Sequence, residues 1–280
     1  MTIPAQHQIT DHDFQRLSTI VHEHCGINLH DGKLPLVQAR LTKLLRTSRY
    51  ANASDYLDNA LADPEGEAFA NLVDTLSTNL TSFFREATHL TYLGDNFLPE
   101  LIARKRRVSD RKIRGWIAAC SSGEEPYSLA MVTLDTLEKL GADFDARILA
   151  TDISHRMLDA AQKGVYDRQR TVPVPPALRG KYLVSSAARH GALEVSPALR
   201  QVVRFAHLNL MDPWPFSGPF DFIFCRNVMI YFDKPTQQRL INRFWQILAS
   251  GGLLFTGHSE SLTGITHQFR YIQATVYQKP

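Results

Sequence analysis

The sequence predicts an α/β protein, in which a small all-helical domain precedes a mostly parallel sheet interrupted by a small antiparallel β insertion. Three observations carry that prediction. From residue 113 onward, short apolar runs that stop at turn residues alternate with longer helical periods, as in parallel strands joined through helices. Residues 1–80 show helical periods only, which separates them as one domain from 81–280. Residues at about 166–201 break the alternation with Pro173, Pro175, Pro176 and Pro197 and with short alternating pieces, read as a hairpin or three strands.

In the first domain, residues 11–24 place Phe14, Leu17, Ile20 and Val21 at helical spacing, and Gly26 closes that helix. A second helix over 34–49 gathers Leu34, Val37, Leu41, Leu44 and Leu45 on one side. On the other side Lys33, Arg40, Lys43, Arg46 and Arg49 fall mostly three apart and form a basic stripe. Such a stripe is either a solvated face or a docking surface for an acidic partner, a nucleic acid or an anionic membrane. Helices at 55–62 and 68–78 flank the breaker Asp63-Pro64-Glu65-Gly66. The connection STNLTSFFRE, 77–86, carries Asn79, Thr81 and Arg85, which can hydrogen-bond a ligand, and Phe83 and Phe84, which could wall it. A helix over 88–107 follows, its terminal Lys105-Arg106-Arg107 complementing the helix dipole.

The rest of the chain is organised around IRGWIAACSSGEEPYSL, residues 113–129. Residues 113–119 form a buried strand, Ser121-Ser122-Gly123 a tight turn, and Pro126 suits the first position of a helix that runs to 140. In an open α/β sheet such a loop lies at the carboxyl end of its strand, where ligands bind, and here it bears Glu124 and Glu125. The dinucleotide fingerprint G-x-G-x-x-G is absent and acids open the helix, so no pyrophosphate site is expected. A carboxylate in this loop suits a cationic or hydroxyl-bearing ligand.

A second strand, 146–150, leads to Thr151-Asp152 and to a helix capped by Ser154 and closed by Gly164. An acid at that tip can take both hydroxyls of a ribose, which makes Asp152 a ribose candidate; its plainer reading is a capping aspartate. Strands at 202–206 and 220–225 deliver His207-Leu208-Asn209-Leu210 and the run Arg226 to Phe232 to the same edge. A helix over 236–249 closing at Gly251-Gly252, a strand at 253–256, the loop Gly257-His258-Ser259-Glu260 and one last strand, 271–279, complete the chain.

Composition narrows the function. The 280 residues are 44% hydrophobic and 21% charged, ordinary for a globular chain, and a net charge of +3 does not mark a nucleic-acid binder. No apolar run approaches the ~20 residues of a membrane span, and the first residues lack a signal peptide's basic and apolar regions, so a cytoplasmic protein without membrane insertion is expected. Cys25, Cys120 and Cys225 form no C-x-x-C pair and read as buried fillers, Cys120 and Cys225 bordering the pocket. His22 and His24 fall on different faces of a helix, and no metal is expected. Nucleophile elbow, Walker loop and metal spacing are all absent from the sequence. What remains is an adenosine-type pocket without phosphate machinery. A ligand with a ribose and a carboxylate or ammonium fits it, and S-adenosylmethionine is such a ligand.

The strings STNLTSFFRE, CSSGEEPYSLA, ILATDIS, FDFIFCRNVMIYFD and LLFTGHSESL, in this order, resemble the chemotaxis receptor glutamate O-methyltransferases, the CheR family, over nearly the full chain. Each string is weak alone, whereas their shared order is specific. The resemblance implies a class I, Rossmann-like methyltransferase domain with an inserted β subdomain, behind an N-terminal receptor-docking domain. It implies that Asn79, Thr81, Arg85, Glu125, Asp152, Asn209, Leu210, Arg226 and Asn227 surround S-adenosylmethionine, with Asp152 on the ribose hydroxyls and Glu125 on the cofactor's polar groups. Glu125 is preferred to Glu124 because Pro126 would fix it at the cap.

The implied reaction moves the sulfonium methyl to a glutamate carboxylate on the cytoplasmic helical region of chemoreceptors, the methyl-accepting chemotaxis proteins of bacterial adaptation. A carboxylate with a pKa of about 4.3 is ionised at neutral pH and needs no general base. Its charge and that of the sulfonium cancel on approach, so catalysis rests on in-line placement and exclusion of water. Arg85 is expected to orient the carboxylate, and the Tyr231 hydroxyl to lie near the methyl group, as the catalytic pair. Arg40, Lys43 and Arg46 become the expected docking residues for the acidic-patterned receptor helices.

In some family members the insertion binds a receptor's C-terminal peptide; here its turn, 185–191, has one glycine, and tethering is not expected. The first rival is a nucleic-acid methyltransferase. Amino methyltransferases often carry Asn/Asp-Pro-Pro-aromatic after the fourth strand, where this chain has Arg226-Asn227-Val228-Met229; Asp212-Pro213-Trp214-Pro215-Phe216 precedes that strand, so nucleic acid is not the expected partner. A non-catalytic module is the second rival. Nothing in the chain demands a dimer, and a monomer is expected.

Overall fold

The computed structural model describes residues 8–280. Four helices come first: α1 (Asp11–Cys25), α2 (Leu34–Leu45), α3 (Ala53–Ala62) and α4 (Glu67–Leu76). Local chemistry sets their ends. Thr10 and Asp13 form a reciprocal capping box at α1, Gly26 closes it at φ 71°, and Asn52 caps α3. α2 stops short of the predicted 49 because the Thr47 and Ser48 hydroxyls hydrogen-bond the carbonyls of Leu44 and Leu45, offering the backbone an alternative to another helical turn. Phe14, Leu17, Val21, Val37, Leu41, Leu57 and Leu72 face inward and give these helices a core of their own.

The helix predicted over 88–107 is interrupted. α5 (Ala87–Tyr92) passes through a π turn, Leu93–Phe97, into α6 (Leu98–Arg107). Pro99 lacks the N–H that would continue the ladder, and Gly94 brings the widened turn so close to Val132 that an added Cβ would lie 2.9 Å from its methyl carbon.

The main sheet has seven strands: β1 (Lys112–Ala118), β2 (Asp145–Asp152), β6 (Val203–His207), β7 (Phe220–Cys225), β8 (Leu248–Thr256), β9 (Arg270–Gln273) and β10 (Val276–Gln278). Their order is β6-β2-β1-β7-β8-β10-β9; the first five are parallel, and β10 runs antiparallel to both its neighbours. The single last strand expected from alternation is a hairpin, turned at Ala274-Thr275 with Thr275 at φ 59°.

α7 (Glu124–Lys139), α8 (His155–Lys163) and α11 (Lys234–Ile247) pack on the sheet. α7 opens at Glu124 behind Gly123 at φ 96°, which puts Pro126 third rather than first. α11 ends at Ile247, and β8 runs straight through Gly251-Gly252. That glycine pair does not stop a helix; it exchanges backbone hydrogen bonds with Lys279 at 2.7 and 2.9 Å.

The insertion holds β3 (Val165–Asp167), β4 (Leu183–Ser185) and β5 (Ala192–Val195) in the antiparallel order β3-β5-β4. It also holds two helices that periodicity missed, α9 (Pro176–Tyr182) and α10 (Pro197–Val202). The prolines that signalled a break start these helices instead, since a first-turn N–H has no partner to lose.

Strand alternation builds a core on each face of the sheet. Ile113, Ile117, Phe222, Phe224 and Phe255 face α5 to α7, while Trp116, Ile223 and Leu254 face Leu240, Ile241 and Phe244 of α11. With both faces filled, the carboxyl ends of β1, β2, β6 and β7 remain as the open edge. Among the described residues, no helix is long and apolar enough to cross a membrane.

Candidate active site

One cavity lies at that edge, closed on its far side by the helical domain. Asn79, Thr81, Arg85, Glu125, Asp152, Asn209, Leu210, Arg226, Asn227 and Tyr231 all line it. Cys25, Ile27, Leu76, Ser77 and Thr78 also line it, and they come from the helical region and the connection that follows it. Sequence reading gave these five no role in the site. Only their position at or just beyond two helix ends marks them.

The turn after β1 takes its shape from three left-handed residues, Ala119 at φ 71°, Ser121 at φ 48° and Gly123 at φ 96°. Gly123 has no room for a side chain, because an added Cβ would lie 2.8 Å from both Ala161 Cβ and the Tyr166 hydroxyl. Asp152 braces the turn: one carboxylate oxygen accepts the Ser121 N–H at 2.7 Å and the other the Ser154 N–H at 2.9 Å. Burial pushes its carboxyl up from the ordinary value, and the backbone donors of Ser154 and Ser121 oppose that shift. Asp152 is thus a brace of the turn and a cavity wall together, while Ser154 and not Asp152 caps α8.

The two glutamates of this turn part company. Glu125 faces the cavity, and its Oε2 accepts from Arg226 Nη2 at 2.6 Å and Nε at 3.1 Å. Glu124, fully buried, turns toward the insertion, where it pairs with Arg170 and accepts the Ser122 hydroxyl at 2.8 Å. What separates them is this direction; Pro126 fixes neither at the cap.

Arg226 is buried, 5% exposed, and reaches in two directions. Besides Glu125 it meets the Arg85 carbonyl at 2.9 Å and Glu86 Oε2 at 3.3 Å. Glu86, His89 and His258 bring their ligating atoms within 4.8 Å of one another, spacing that could hold an ion and that the sequence did not reveal. The protein's own cation stands there, with Arg226 Nη1 3.3 Å from His89 Nδ1. Burial, then the Arg226 charge, lowers His89 to about 4, so it is neutral at pH 7.

Asn227 stands at φ 59°, its N–H bonded to Glu260 and its amide nitrogen 3.4 Å from Glu86. Asn209 ties the sheet edge to α1 by donating to the His24 carbonyl at 2.6 Å. Arg85 closes its own loop on the Leu80 carbonyl at 2.8 Å. Tyr231 lies under the Lys33 ammonium, 5.7 Å from the ring centre, and its carbonyl accepts the Asn28 N–H at 2.8 Å.

Several expectations change. Phe83 is buried against Tyr166 and Phe84 packs on the core, so neither walls the cavity. Cys120 and Cys225 are buried away from it, and Cys25 borders it instead. Burial, aided by Asp212, pushes the Cys25 thiol up to about 12, which keeps it protonated. Arg40 is not a free cation of the stripe; it holds the Leu76 carbonyl and the Thr78 hydroxyl, while Lys43 and Arg46 are exposed.

Residues 79–278 match the family model described as CheR methyltransferase, SAM binding domain, and residues 12–77 match CheR methyltransferase, all-alpha domain. The chain belongs to the CheR methyltransferase family. It is 39% identical to the chemotaxis protein methyltransferase of Borreliella burgdorferi, over 97% of this chain and 95% of that one. It is likewise 39% identical to chemotaxis protein methyltransferase 2 of Pseudomonas aeruginosa, over 96% and 93%, and 37% identical to the Escherichia coli chemotaxis protein methyltransferase, over 96% and 91%. The methyltransferase is therefore an S-adenosylmethionine-dependent enzyme of chemotaxis, and its fold is the class I, Rossmann-like one.

Proposed function

We propose that this methyltransferase esterifies glutamate side chains in the cytoplasmic helical region of chemoreceptors. The observation that carries the reading is the absence of a free general base among the described residues that line the cavity. Its ionisable groups are Cys25, Arg85, Glu125, Asp152, Arg226 and Tyr231. The thiol is protonated, Glu125 is bound to Arg226, and Asp152 is bound to two backbone amides. An amine or alcohol acceptor would have to lose a proton to one of these, whereas a carboxylate arrives ionised.

The donor set suits the cofactor. Asp152 offers remaining lone pairs to ribose hydroxyls, Glu125 to a cationic or hydroxyl group, and Asn79, Thr81, Asn209, Leu210, Arg226 and Asn227 complete the wall. Bound S-adenosylmethionine supplies an electrophilic methyl group and leaves as S-adenosylhomocysteine. Arg85 holds the incoming carboxylate, Tyr231 borders the reacting atoms, and the surrounding apolar side chains exclude water.

Residues 1–80 serve as the docking domain, with Lys43 and Arg46 as free cations and Arg40 tied to Leu76 and Thr78, and 81–280 as the catalytic domain with its insertion at about 166–201. The enzyme works as a monomer in the cytoplasm, where those receptor helices lie.

Tritiated S-adenosylmethionine mixed with receptor-containing membranes should yield a base-labile methyl ester, and nucleic acid should take up no label. Arg85→Ala should lower turnover by about 100-fold with unchanged unfolding, since the side chain acts on placement. Label stable to base would overturn the assignment, and full activity of that variant would remove the role given to Arg85.

A further inference from the structure

Glu260 lies outside the cavity, 5% exposed, in the loop after β8. Backbone amides take both its oxygens: Oε2 accepts from Asn227 at 2.7 Å and Gly257 at 2.7 Å, and Oε1 from Ile230 at 3.1 Å. Two of those donors, Asn227 and Ile230, belong to the segment that carries Asn227, Val228, Tyr231 and Phe232 to the cavity and that contains the single turn Met229–Tyr231, while Gly257 belongs to the loop of Glu260 itself. A single turn cannot satisfy its own first N–H groups, and the carboxylate does so from outside.

Two features show how tightly this contact is drawn. Asn227 has φ 59°, a left-handed backbone that asparagine enters more readily than other side-chain-bearing residues, and its N–H there is held on Glu260 at 2.7 Å. Gly257 has no space for a Cβ, which would stand 2.6 Å from Glu260 Oε2 and 2.9 Å from the Asn227 nitrogen. Other contacts fix the opposite side of the segment. Gln237 donates to the carbonyls of Met229 at 2.9 Å and Phe232 at 3.0 Å, and Ile27 pairs with Phe232 in an isolated bridge.

We propose that Glu260 is the positioning residue of the reaction centre: its buried carboxylate sets the backbone of 226–232 and thereby places Asn227 and Tyr231 against the cavity. This rests on the reading of the cavity as the active centre. Glu260 touches neither cofactor nor substrate and acts through the segment it holds. Its loss therefore loosens that segment, while Asp152 at the end of β2 and Glu125 in the first turn of α7 keep most of the cofactor contact.

The test compares Glu260→Gln with wild type in the full chain, and with Ser259→Ala, an exposed neighbour, as control. The amide isostere keeps shape and volume but turns an acceptor into a donor facing backbone N–H groups. Amide exchange at Asn227, Ile230 and Gly257 should accelerate while α11 and β1 stay protected. Turnover should fall by about 10- to 100-fold, with S-adenosylhomocysteine affinity by calorimetry changed by less than about threefold. Glu260→Asp, which keeps the charge, should recover part of the turnover.

Normal turnover with protected amides in Glu260→Gln would overturn the proposal. So would uniform loss of protection across the sheet in both variants, which marks a merely structural contact. The reaction reading has its own control: a wild type that labels no receptor sinks that reading, while the exchange pattern still decides whether Glu260 holds the segment.

Discussion

The helical domain and the carboxyl edge of the sheet use carboxylates in opposite ways. Asp13 sits in the first turn of α1, where burial raises its carboxyl but the Thr10 hydroxyl and amide, Ser54 and Arg16 together take it below its ordinary 3.8. Its closest partner, Thr10, is three residues away. At the carboxyl edge, burial dominates and, as with Asp221 at the opposite end of β7, raises Asp152 and Glu260 despite their donors. The ion pairs there span the chain, with Arg226 joining Glu125 at a separation of 101 residues and Glu86 at 140. Many apolar contacts and local caps stabilise the first region, so no single group decides it. A few long-range charges hold the second, so single substitutions there should have large effects.

The strongest way to break that contrast is Arg226→Met. It leaves Glu125 and Glu86 buried without their shared cation, and unfolding by urea should show a loss of about 3–5 kcal/mol. Adding Glu125→Gln should restore part of the loss, because only one unpaired carboxylate then remains. A loss below about 1 kcal/mol would mean that the edge is as redundant as the helices.

Two glycines sharpen the comparison with one chemical change. Gly123→Ala meets both a left-handed backbone and atoms at 2.8 Å, and should cost about 1–3 kcal/mol and displace the turn that bears Glu125. Gly141→Ala, at φ 51° just beyond α7, meets no atom within 4 Å and should cost only the backbone strain of about 1 kcal/mol. Equal losses would show that packing around the cavity turn is loose.

Opposite pKa shifts predict opposite pH trends. The lowered Asp13 contributes stability that is present above 3.8 and lost as pH falls through its folded value, so the loss in Asp13→Asn should shrink on acidification. The raised Asp221, paired with Lys105 at 2.8 Å, makes its titrating contribution below 3.8 and loses it as pH rises through its folded value. The loss in Asp221→Asn should therefore be greater at pH 4 than at pH 7. Urea midpoints at the two pH values give both slopes, and slopes of one sign would remove the distinction.

The same contrast governs how much the sequence disclosed. Helices α1 to α4 were legible because apolar period, caps and a closing glycine all lie within a few residues of one another. The strands were legible as apolar runs, and four of the five short strings carry eight of the ten expected side chains that line the wall, Asn209 and Leu210 coming from just beyond the end of a strand outside them. The pairing of Arg226 with Glu125 and Glu86, the turning of Glu124 toward Arg170 and the bracing of Asn227 by Glu260 left no local signal. Periodicity reports a residue's neighbours three or four positions away, and these partners come together only when the sheet is assembled. Helices α9 and α10 were missed for a different reason: Pro176 and Pro197 occupy first helical positions, where proline starts a helix as readily as it ends one.

The smallest stability effect should come from the exposed basic residues of α2, and there function and folding separate most cleanly. Lys43→Glu with Arg46→Glu alters side chains that face solvent, so unfolding should move by no more than about 0.5 kcal/mol. Receptor methylation should nonetheless fall if the proposed docking surface is right, with S-adenosylhomocysteine affinity unchanged, because neither side chain lines the cavity. Arg40→Glu differs in kind: it withdraws a donor from the Leu76 carbonyl and the Thr78 hydroxyl and so disturbs two residues of the cavity wall. It should weaken cofactor binding as well as receptor methylation. If all three reversals reduced receptor methylation alone, Arg40 would belong with the solvent-facing cations, and its contacts to the connection after α4 would contribute nothing to the site.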